Sequence, residues 1–308
     1  MPMLRPNYPN RSGQTRRQVL PTYDLAFKKI LANPEHPEII QGFIRDFLDR
    51  EVDISDIRIL NPYSVDNYPS PDQLTLSGVQ EKYQPSDLLE LIHDVTIAVI
   101  ETLDLTIEMQ LAKYADLMQR SHMYLADIYR NNYNNQPAGN SKYATLKPVW
   151  AVNILGFNYF SDAEAYRVLT LHDNKRLTPL ADNYFHLCFF ELHKATSDPR
   201  LAAWREFFNT GNAVGDAPSY LRTAAKIIEY QNLNSKERGV IDSEERRREW
   251  AESYHAYLLG RYDDGIAQGQ QTSSRRIARN LLDDGLPADD IAKYTGLTVA
   301  EINQLVSH

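Results

Sequence analysis

The sequence predicts an α/β fold in which a mixed central sheet is flanked by helices and followed by a helical C-terminal extension. Four extended runs predict the strands, at 91–100, 104–111, 149–157 and 184–192. Amphipathic helical periodicity precedes, separates and follows these runs. Because sheets and helices bury their apolar faces by stacking on one another, this order of elements favours a layered core.

Two helices are predicted ahead of the first strand. The first begins at Asp24, and the second follows Pro34 and Pro37. Their apolar stripes consist of Leu25, Phe27, Ile30, Leu31, Ile39, Phe43, Phe47 and Leu48. The segment 61–87 contains prolines and many polar residues, so it is predicted to be a long loop.

The first two extended runs are predicted to pair as an antiparallel hairpin, because only 101–103 separates them. Within the second run, apolar and polar residues alternate. Thr106, Glu108 and Gln110 therefore project from one face of the strand, and the apolar residues between them project from the other.

The composition predicts four parts along the chain. A disordered arm at 1–20 precedes a main α/β domain at 21–235. A helical linker at 236–274 and a small helix-turn-helix-like module at 275–308 follow. In the linker two glycines stand four residues apart, which leaves open either close packing against another helix or a loosely ordered segment.

The C-terminal module is predicted to bury a small core, and Thr298 is predicted to cap its last helix. That core is assigned to Ile277, Leu281, Leu282, Ile291, Ala292, Leu297, Ile302 and Leu305. The last helix carries no lysine or arginine, so we expect weak DNA affinity. Protein interaction, including a homodimer formed through this helical region, stays open beside DNA binding.

The bulk composition excludes several classes of protein. No apolar run approaches the length that spans a bilayer, and the N-terminus lacks the apolar core of a secretory signal. The one cysteine, Cys188, rules out a multi-cysteine metal cluster and is predicted to lie in the core. The net charge of −8 argues against a protein that coats nucleic acid non-specifically. We expect a cytoplasmic protein without a membrane partner.

Asp94, Glu108 and Gln110 form the informative polar constellation. If the two runs pair as a hairpin, Asp94 lies on the strand adjacent to Glu108 and Gln110. Carboxylates that converge repel one another unless a cation lies between them, and oxygen ligands suit magnesium, manganese or calcium. The alternative is an exposed sheet face whose polar residues serve solubility alone.

Several motifs in the same order resemble the PD-(D/E)XK nuclease family transposases, the recombination-promoting nuclease (Rpn) group. They are YDLAFKKIL, HDVTIAVIE, LTIEMQ, VWAVNILGFNYF, FFELHK and the C-terminal stretch IARNLLDDGLPADDIAKYTGLTVAEINQL. The resemblance covers the chain from Thr22 onward, and it implies a restriction-endonuclease-like fold. In this group glutamine replaces the usual last lysine and gives an E-x-Q motif, which matches Glu108 and Gln110.

The resemblance also implies roles for individual residues. Asp94 and Glu108 would hold Mg²⁺, or Mn²⁺ or Ca²⁺ in its place, with the Met109 carbonyl as a further ligand, and Gln110 would orient the attacking water. Asp24 matches the early aspartate of the group and would complete the ligand set, or would cap the first helix instead. Residues that would contact double-stranded DNA are Lys28, Arg120 and Tyr124.

The implied activity is hydrolysis of DNA phosphodiester bonds in recombination, mobile-element biology or phage defence. A catalytically silent relative that binds DNA or a protein partner is the rival hypothesis, and the sequence does not separate DNA from RNA as substrate. No histidine pattern of a zinc hydrolase and no P-loop is present. Glu191 and Lys194 are expected to form a structural ion pair.

Overall fold

The fold was taken from a computed structural model that describes residues 17–68, 93–99, 102–113, 115–135, 142–176, 178–180 and 182–305. For 93–99 and for several positions within 252–267, the description covers the backbone alone. The chain forms two compact units, Met1–Arg248 and Glu249–His308.

Six strands form one mixed sheet in the first unit, in the order β1-β2-β3-β4-β6-β5. They are β1 (Ile57–Ile59), β2 (His93–Val99), β3 (Leu103–Gln110), β4 (Val149–Leu155), β5 (Tyr166–Leu169) and β6 (Phe185–Glu191). Strands β1, β2 and β3 pair antiparallel, as does β5 with β6, whereas β3, β4 and β6 run parallel. The four predicted strands and the hairpin are therefore confirmed.

Two strands, β1 and β5, were missed by the sequence analysis. Both lie at the edges of the sheet and are short, with three and four residues. Their side chains are mostly half-buried or exposed, so neither strand presents the sustained apolar pattern that marks a central strand.

Helices cover both faces of the sheet. They are α1 (Asp24–Leu31), α2 (Pro37–Leu48), α3 (Leu117–Asn134), α4 (Pro199–Thr210), α5 (Ser219–Ile227) and α6 (Ser235–Asp283). Short 3₁₀ turns occur at Ile54–Asp56, Val65–Asn67, Lys142–Thr145 and Tyr230–Asn232. The predicted helices near the N-terminus are confirmed, and the part of the predicted loop that is described, 61–68, contains the second of these turns.

The two faces of β3 belong to different core clusters. Leu105, Ile107 and Met109 are fully buried in the main cluster, together with residues of α1, α2, α4 and α5. On the other face, α3 covers the sheet with Leu117 and Leu125, which form a second cluster with residues of β4 and β6. The polar residues of β3 therefore lie on the face that α3 covers.

The last four residues of the predicted arm are packed in the first unit. Val19 is buried, and Gln18 forms a β-bridge with Glu229. Gly211 ends α4 with φ of 74°, and its missing Cβ leaves room for the Val19 carbonyl. The prediction of an arm is therefore wrong for 17–20, because apolar burial of Val19 holds this segment; 1–16 lie outside the described residues.

The two glycines of the predicted linker, Gly265 and Gly269, do not interrupt a helix. Helix α6 continues through Gly265 and Gly269 to Asp283. A Cβ added to either glycine would meet no atom within 4 Å in the described part of the chain. The glycines are therefore not needed for close helix packing there, and the segment is helical rather than loosely ordered.

The second unit ends in α7 (Ala288–Thr295) and α8 (Val299–Leu305), which pack with the end of α6. Thr298 caps α8, since its hydroxyl accepts from the Glu301 N–H at 3.3 Å while Glu301 Oε2 accepts from the Thr298 N–H at 2.8 Å. The predicted core is wrong at one position. Ile277 is 44% exposed, and its neighbour Ala278 is fully buried, because only the smaller side chain faces the neighbouring helices.

Candidate functional site

The register of the central strands brings three polar positions into one row. Glu108 on β3 stands opposite Asp94 on β2 and opposite Asn153 on β4. Residues that stand opposite one another in a ladder lie on the same face of the sheet. For Asp94 the structure describes the backbone position alone. The hairpin pairing therefore places both predicted carboxylate positions, 94 and 108, next to each other.

Glu108 and Gln110 lie together beneath α3 and are each 3% exposed. Gln110 Nε2 donates to Glu108 Oε2 at 3.3 Å, and the Gln110 carbonyl accepts from the Gly156 N–H at 2.8 Å. Gln110 Oε1 is buried and has no hydrogen-bond partner among the described residues. A buried acceptor without a partner is uncommon in proteins. The Gln110 amide oxygen is therefore a candidate to accept a hydrogen bond from a water or to contact an ion.

Asn153, the third position of the row, and Ser121, which contacts it from α3, were missed by the sequence analysis. Both are 1% exposed; the Ser121 hydroxyl on α3 donates to Asn153 Oδ1 at 2.9 Å, and Asn153 Nδ2 donates to the Cys188 carbonyl at 3.2 Å. A polar residue inside the apolar strand VWAVNIL is the signal that could have revealed Asn153. The buried Cys188 is in the core as predicted, and burial raises the pKa of its thiol to about 12.

Arg120 and Tyr124 lie half-buried on α3, along one flank of the stripe formed by Leu117, Ser121 and Leu125. The structure therefore places them on one side of a helix whose inner face covers Glu108 and Asn153. Their assignment to DNA contact stays a prediction.

A loop that follows β4 is tied to the end of the sheet by a buried ion pair. Lys194 Nζ lies 2.6 Å from Glu191 Oε2, and Glu191 Oε1 accepts from the N–H groups of Tyr159 and Phe160 at 2.5 and 3.1 Å. Glu191 is fully buried. The expected structural ion pair is thus confirmed, and it fixes the loop whose first residue, Gly156, donates to the Gln110 carbonyl.

Asp24 and Lys28 line a cleft of about 320 Å³ at the surface of the first unit. The cleft is also lined by Asn61, Pro62, Tyr63, Ser64, Asn67, Tyr68, Val240, Glu244 and Arg247. Lys28 Nζ lies 3.4 Å from Asp24 Oδ1. Burial, and then the neighbouring Asp24 carboxylate, raise the pKa of the Tyr68 hydroxyl.

The cleft lies toward the same end of the sheet as the polar row. Ile59 of β1 stands opposite Ile97, and the chain leaves β1 toward the end of β2 that carries Asp94. The residues that follow β1, from Asn61 onward, line the cleft. Asp24 itself lies on α1, which packs against the opposite face of β3 from Glu108.

The alternative role of Asp24 as a helix cap is wrong. The N-cap of α1 is Tyr23, and both carboxylate oxygens of Glu244 accept from the Asp24 N–H at 3.1 Å. Glu244 comes from α6, is 1% exposed and forms an ion pair with Arg248 at 2.9 Å. The start of α1 is therefore capped by a residue that is far away in the sequence. The Asp24 side chain does not cap the helix, and it lines the cleft.

The donor types in the polar row fit a hard cation. Carboxylate oxygens at positions 94 and 108 and the partnerless amide oxygen of Gln110 are ligands of the kind that magnesium, manganese and calcium take. Among the described side chains, a set that does not include Asp94, no three His, Cys, Asp or Glu residues cluster as a metal site.

Comparison with known protein families matches 21–256 to the PD-(D/E)XK nuclease family transposases. The chain belongs to this family. Residues 271–307 match the C-terminal HTH domain of the Rpn/YhgA-like nuclease family. No curated protein and no solved structure gives a significant match.

Membership in the PD-(D/E)XK nuclease family agrees with the architecture described above, in which a mixed sheet is flanked by helices and followed by a helical C-terminal region. The fold is restriction-endonuclease-like, and the family supports a nuclease or transposase-like function. Nucleases of this family typically use divalent metal ions. No helix in the described part of the chain combines the length and apolar character needed to cross a bilayer.

Proposed function

We propose that this chain is a metal-dependent endonuclease that hydrolyses phosphodiester bonds in double-stranded DNA. One observation carries the proposal: the β2–β3 ladder sets Asp94 directly opposite Glu108, and Gln110 contacts Glu108 from the same strand. The rival function of a catalytically silent relative requires no such arrangement.

Asp94 and Glu108 would hold the cation, with the Met109 carbonyl as a further ligand and Asp24 completing the set from the cleft. When bound there, Mg²⁺ (or Mn²⁺ or Ca²⁺) lowers the pKa of water and stabilises negative charge on the phosphate. Acidic residues at directly opposed positions favour such a cation, because neighbouring like charges repel one another without it.

Gln110 would hold the attacking water or a phosphate oxygen in position. Its amide donates and accepts hydrogen bonds but carries no charge. In the structure Nε2 is directed to Glu108, while Oε1 has no partner among the described residues and is available as an acceptor. A water that donates to Oε1 would therefore be oriented next to the Glu108 carboxylate.

The face of α3 that carries Arg120 and Tyr124 supplies DNA contacts in this proposal, together with Lys28 from the cleft. Arginine donors match phosphate geometry, and a tyrosine ring provides a contact surface beside it. The net charge of −8 means that the basic contacts must be local rather than spread over the surface.

The role of the C-terminal HTH domain is proposed separately. Its last helix, α8, carries Glu301 and no lysine or arginine, which disfavours tight binding to phosphates. We therefore favour protein interaction through this region, with a homodimer as the first case to test. The biological setting proposed for the enzyme is recombination, mobile-element biology or phage defence.

The test is nicking of supercoiled plasmid DNA in Mg²⁺ by the wild type and by the Asp94→Asn and Glu108→Gln variants. Cleavage by the wild type should be lost on chelation and in both variants. Asp104→Asn is a matched control, because Asp104 lies on the same strand and face but pairs with Lys147 at 2.7 Å. Retained cleavage in both site variants would refute the proposal.

Two further arms separate the alternatives. The rival hypothesis is a catalytically silent relative that binds DNA. It would be supported if the wild type binds DNA without cleaving it and calorimetry detects no heat of Mg²⁺ or Mn²⁺ binding. Duplex RNA of the same sequence, assayed beside the DNA, tests the substrate class.

A further inference from the structure

The first turns of α6 are attached to the rest of the first unit by polar side chains, and nearly every cation there has a partner. The pairs are Lys236 with Asp66 at 2.9 Å, Arg238 with the Tyr230 carbonyl at 3.1 Å, Arg246 with Ser243 Oγ at 3.1 Å, and Arg248 with Glu244 at 2.9 Å. Of these contacts, those of Lys236 and Arg238 join the helix to other parts of the first unit, whereas those of Arg246 and Arg248 lie within the helix.

Arg247 is the exception. Its Nε is buried and has no hydrogen-bond partner, and no ion pair or hydrogen bond to its guanidinium is found in the described part of the chain. Burying a polar donor without a partner costs free energy, so such groups usually serve a ligand or a mechanism. The side chain is half-buried and lines the cleft that holds Asp24 and Lys28.

The cleft is lined by two acidic and two basic residues, and with Arg248, which pairs with Glu244 from outside the lining, the group has one cation in excess. Lys28 pairs with Asp24, and Glu244 pairs with Arg248 and caps α1. Arg247 is then a positive charge that no carboxylate of the described residues neutralises. The cleft is also lined by Asn61, Ser64 and Asn67, whose side chains carry amide and hydroxyl groups. The chemistry of this cleft therefore suits an anion with several oxygens.

We propose that Arg247 binds a phosphate of the DNA strand that is engaged by the Asp94–Glu108 row. The proposal rests on the function proposed above and adds a substrate-binding residue from α6, outside the motifs that suggested the site. The cleft follows β1 toward the end of β2 that carries Asp94, so it lies toward the same end of the sheet as the row. The planar guanidinium donates two parallel hydrogen bonds to a phosphate, as a lysine cannot.

The experiment measures DNA binding separately from cleavage. Affinity of a labelled DNA duplex is measured by fluorescence anisotropy at several salt concentrations, in a Glu108→Gln background that leaves the duplex intact. Arg247→Ala is compared with Arg246→Ala, which removes the same charge from the neighbouring position. Arg246 is exposed and directed to Ser243 on its own helix, so it is a matched control.

We expect Arg247→Ala to weaken DNA binding about tenfold and to lower the slope of log affinity against log salt by about one. Arg246→Ala should leave both quantities unchanged. Arg247→Lys should recover the salt slope but only part of the affinity, because the charge returns without the forked geometry. Thermal unfolding of Arg247→Ala should stay close to that of the wild type, since no hydrogen bond or ion pair of the described structure is lost.

Equal affinity and equal salt slope in Arg247→Ala and Arg246→Ala would overturn the inference. Inorganic phosphate at millimolar concentration serves as a competitor, and competition lost in Arg247→Ala supports the anion site. The two proposals fail separately. Cleavage that depends on Glu108 with no effect of Arg247 on binding rejects this inference alone, whereas Arg247-dependent binding without any cleavage rejects the nuclease activity alone.

Discussion

Gln110 Nε2 donates a hydrogen bond to Glu108 Oε2 at 3.3 Å, from two positions farther along the same strand. In most nucleases that share this strand motif, as the resemblance implies, a lysine occupies the position of Gln110. A neutral amide cannot neutralise charge on the phosphate, so in the proposed site Gln110 would orient Glu108 through this contact and hold a water at Oε1, which has no partner among the described residues.

Replacing Gln110 with methionine should slow DNA nicking by about tenfold to a hundredfold, the range for removal of one positioned hydrogen-bonding group. Stability should change little, since methionine fills a similar volume and removes the partnerless Oε1. Single-turnover nicking rates and urea denaturation measure the two effects. Thr106→Val, on the same face of β3, is the control. A Gln110→Met enzyme with the wild-type rate would show that the amide has no role.

Removing the Glu244 side chain should destabilise the first unit by about 3 kcal/mol. The Glu244→Ala variant loses the cap of α1 at the Asp24 N–H and leaves Arg248 without its carboxylate. Urea denaturation measures the loss, and Glu206→Ala, which removes an exposed glutamate from α4, gives the baseline. Equal midpoints for the two variants would contradict the capping role.

Acid should selectively weaken the attachment of α6 through Glu237. Burial alone would raise the pKa of this carboxyl, but hydrogen bonds from Lys29 and Tyr63, each at 2.5 Å, lower it below its ordinary value of 4.5. The folded state then binds fewer protons than the unfolded state, so the stabilisation is present above pH 4.5 and is lost as pH falls through the folded pKa.

The Glu237→Gln variant lacks this titration. Its stability deficit relative to the wild type should therefore be largest near pH 7 and should shrink as the pH falls below 4.5. Urea denaturation of both proteins across that range measures the difference. A deficit that stays constant with pH would mean that the carboxyl has the same pKa in the folded and unfolded chains.

Variants of Glu191 and Lys194 should have non-additive effects on the free energy of unfolding, because the two side chains form a buried ion pair. Lys194→Ala leaves the fully buried Glu191 without its cation and should cost about 3 kcal/mol. The double variant Glu191→Gln with Lys194→Met removes both charges and should cost less than Lys194→Ala alone. Lys175→Ala, at an exposed lysine, is the reference. A double variant that equals the sum of its single variants would rule out coupling of the pair.

Much of the core could be predicted from the sequence, because strands and helices that bury one face carry periodic apolar residues. The alternation in 104–111 assigns Ile107 and Met109 to one face of the strand and Glu108 and Gln110 to the other, as the structure has them. The same reasoning failed at Ile277, where the larger apolar residue was assigned to the core and Ala278 is the one that faces it. Ile277 stands four positions before Leu281 and Ala278 four positions before Leu282, so both fit the helical spacing of this core.

The sequence by itself determined the strand hairpin that sets Asp94 opposite Glu108, since both lie in one local stretch with a short connection. Only the tertiary structure decided that Asn153 joins this row, that Glu244 caps α1 and that Arg247 lines the same cleft as Asp24 and Lys28. These contacts join residues that are far apart in the chain. No local pattern encodes them, because they depend on how separately formed helices and strands pack together.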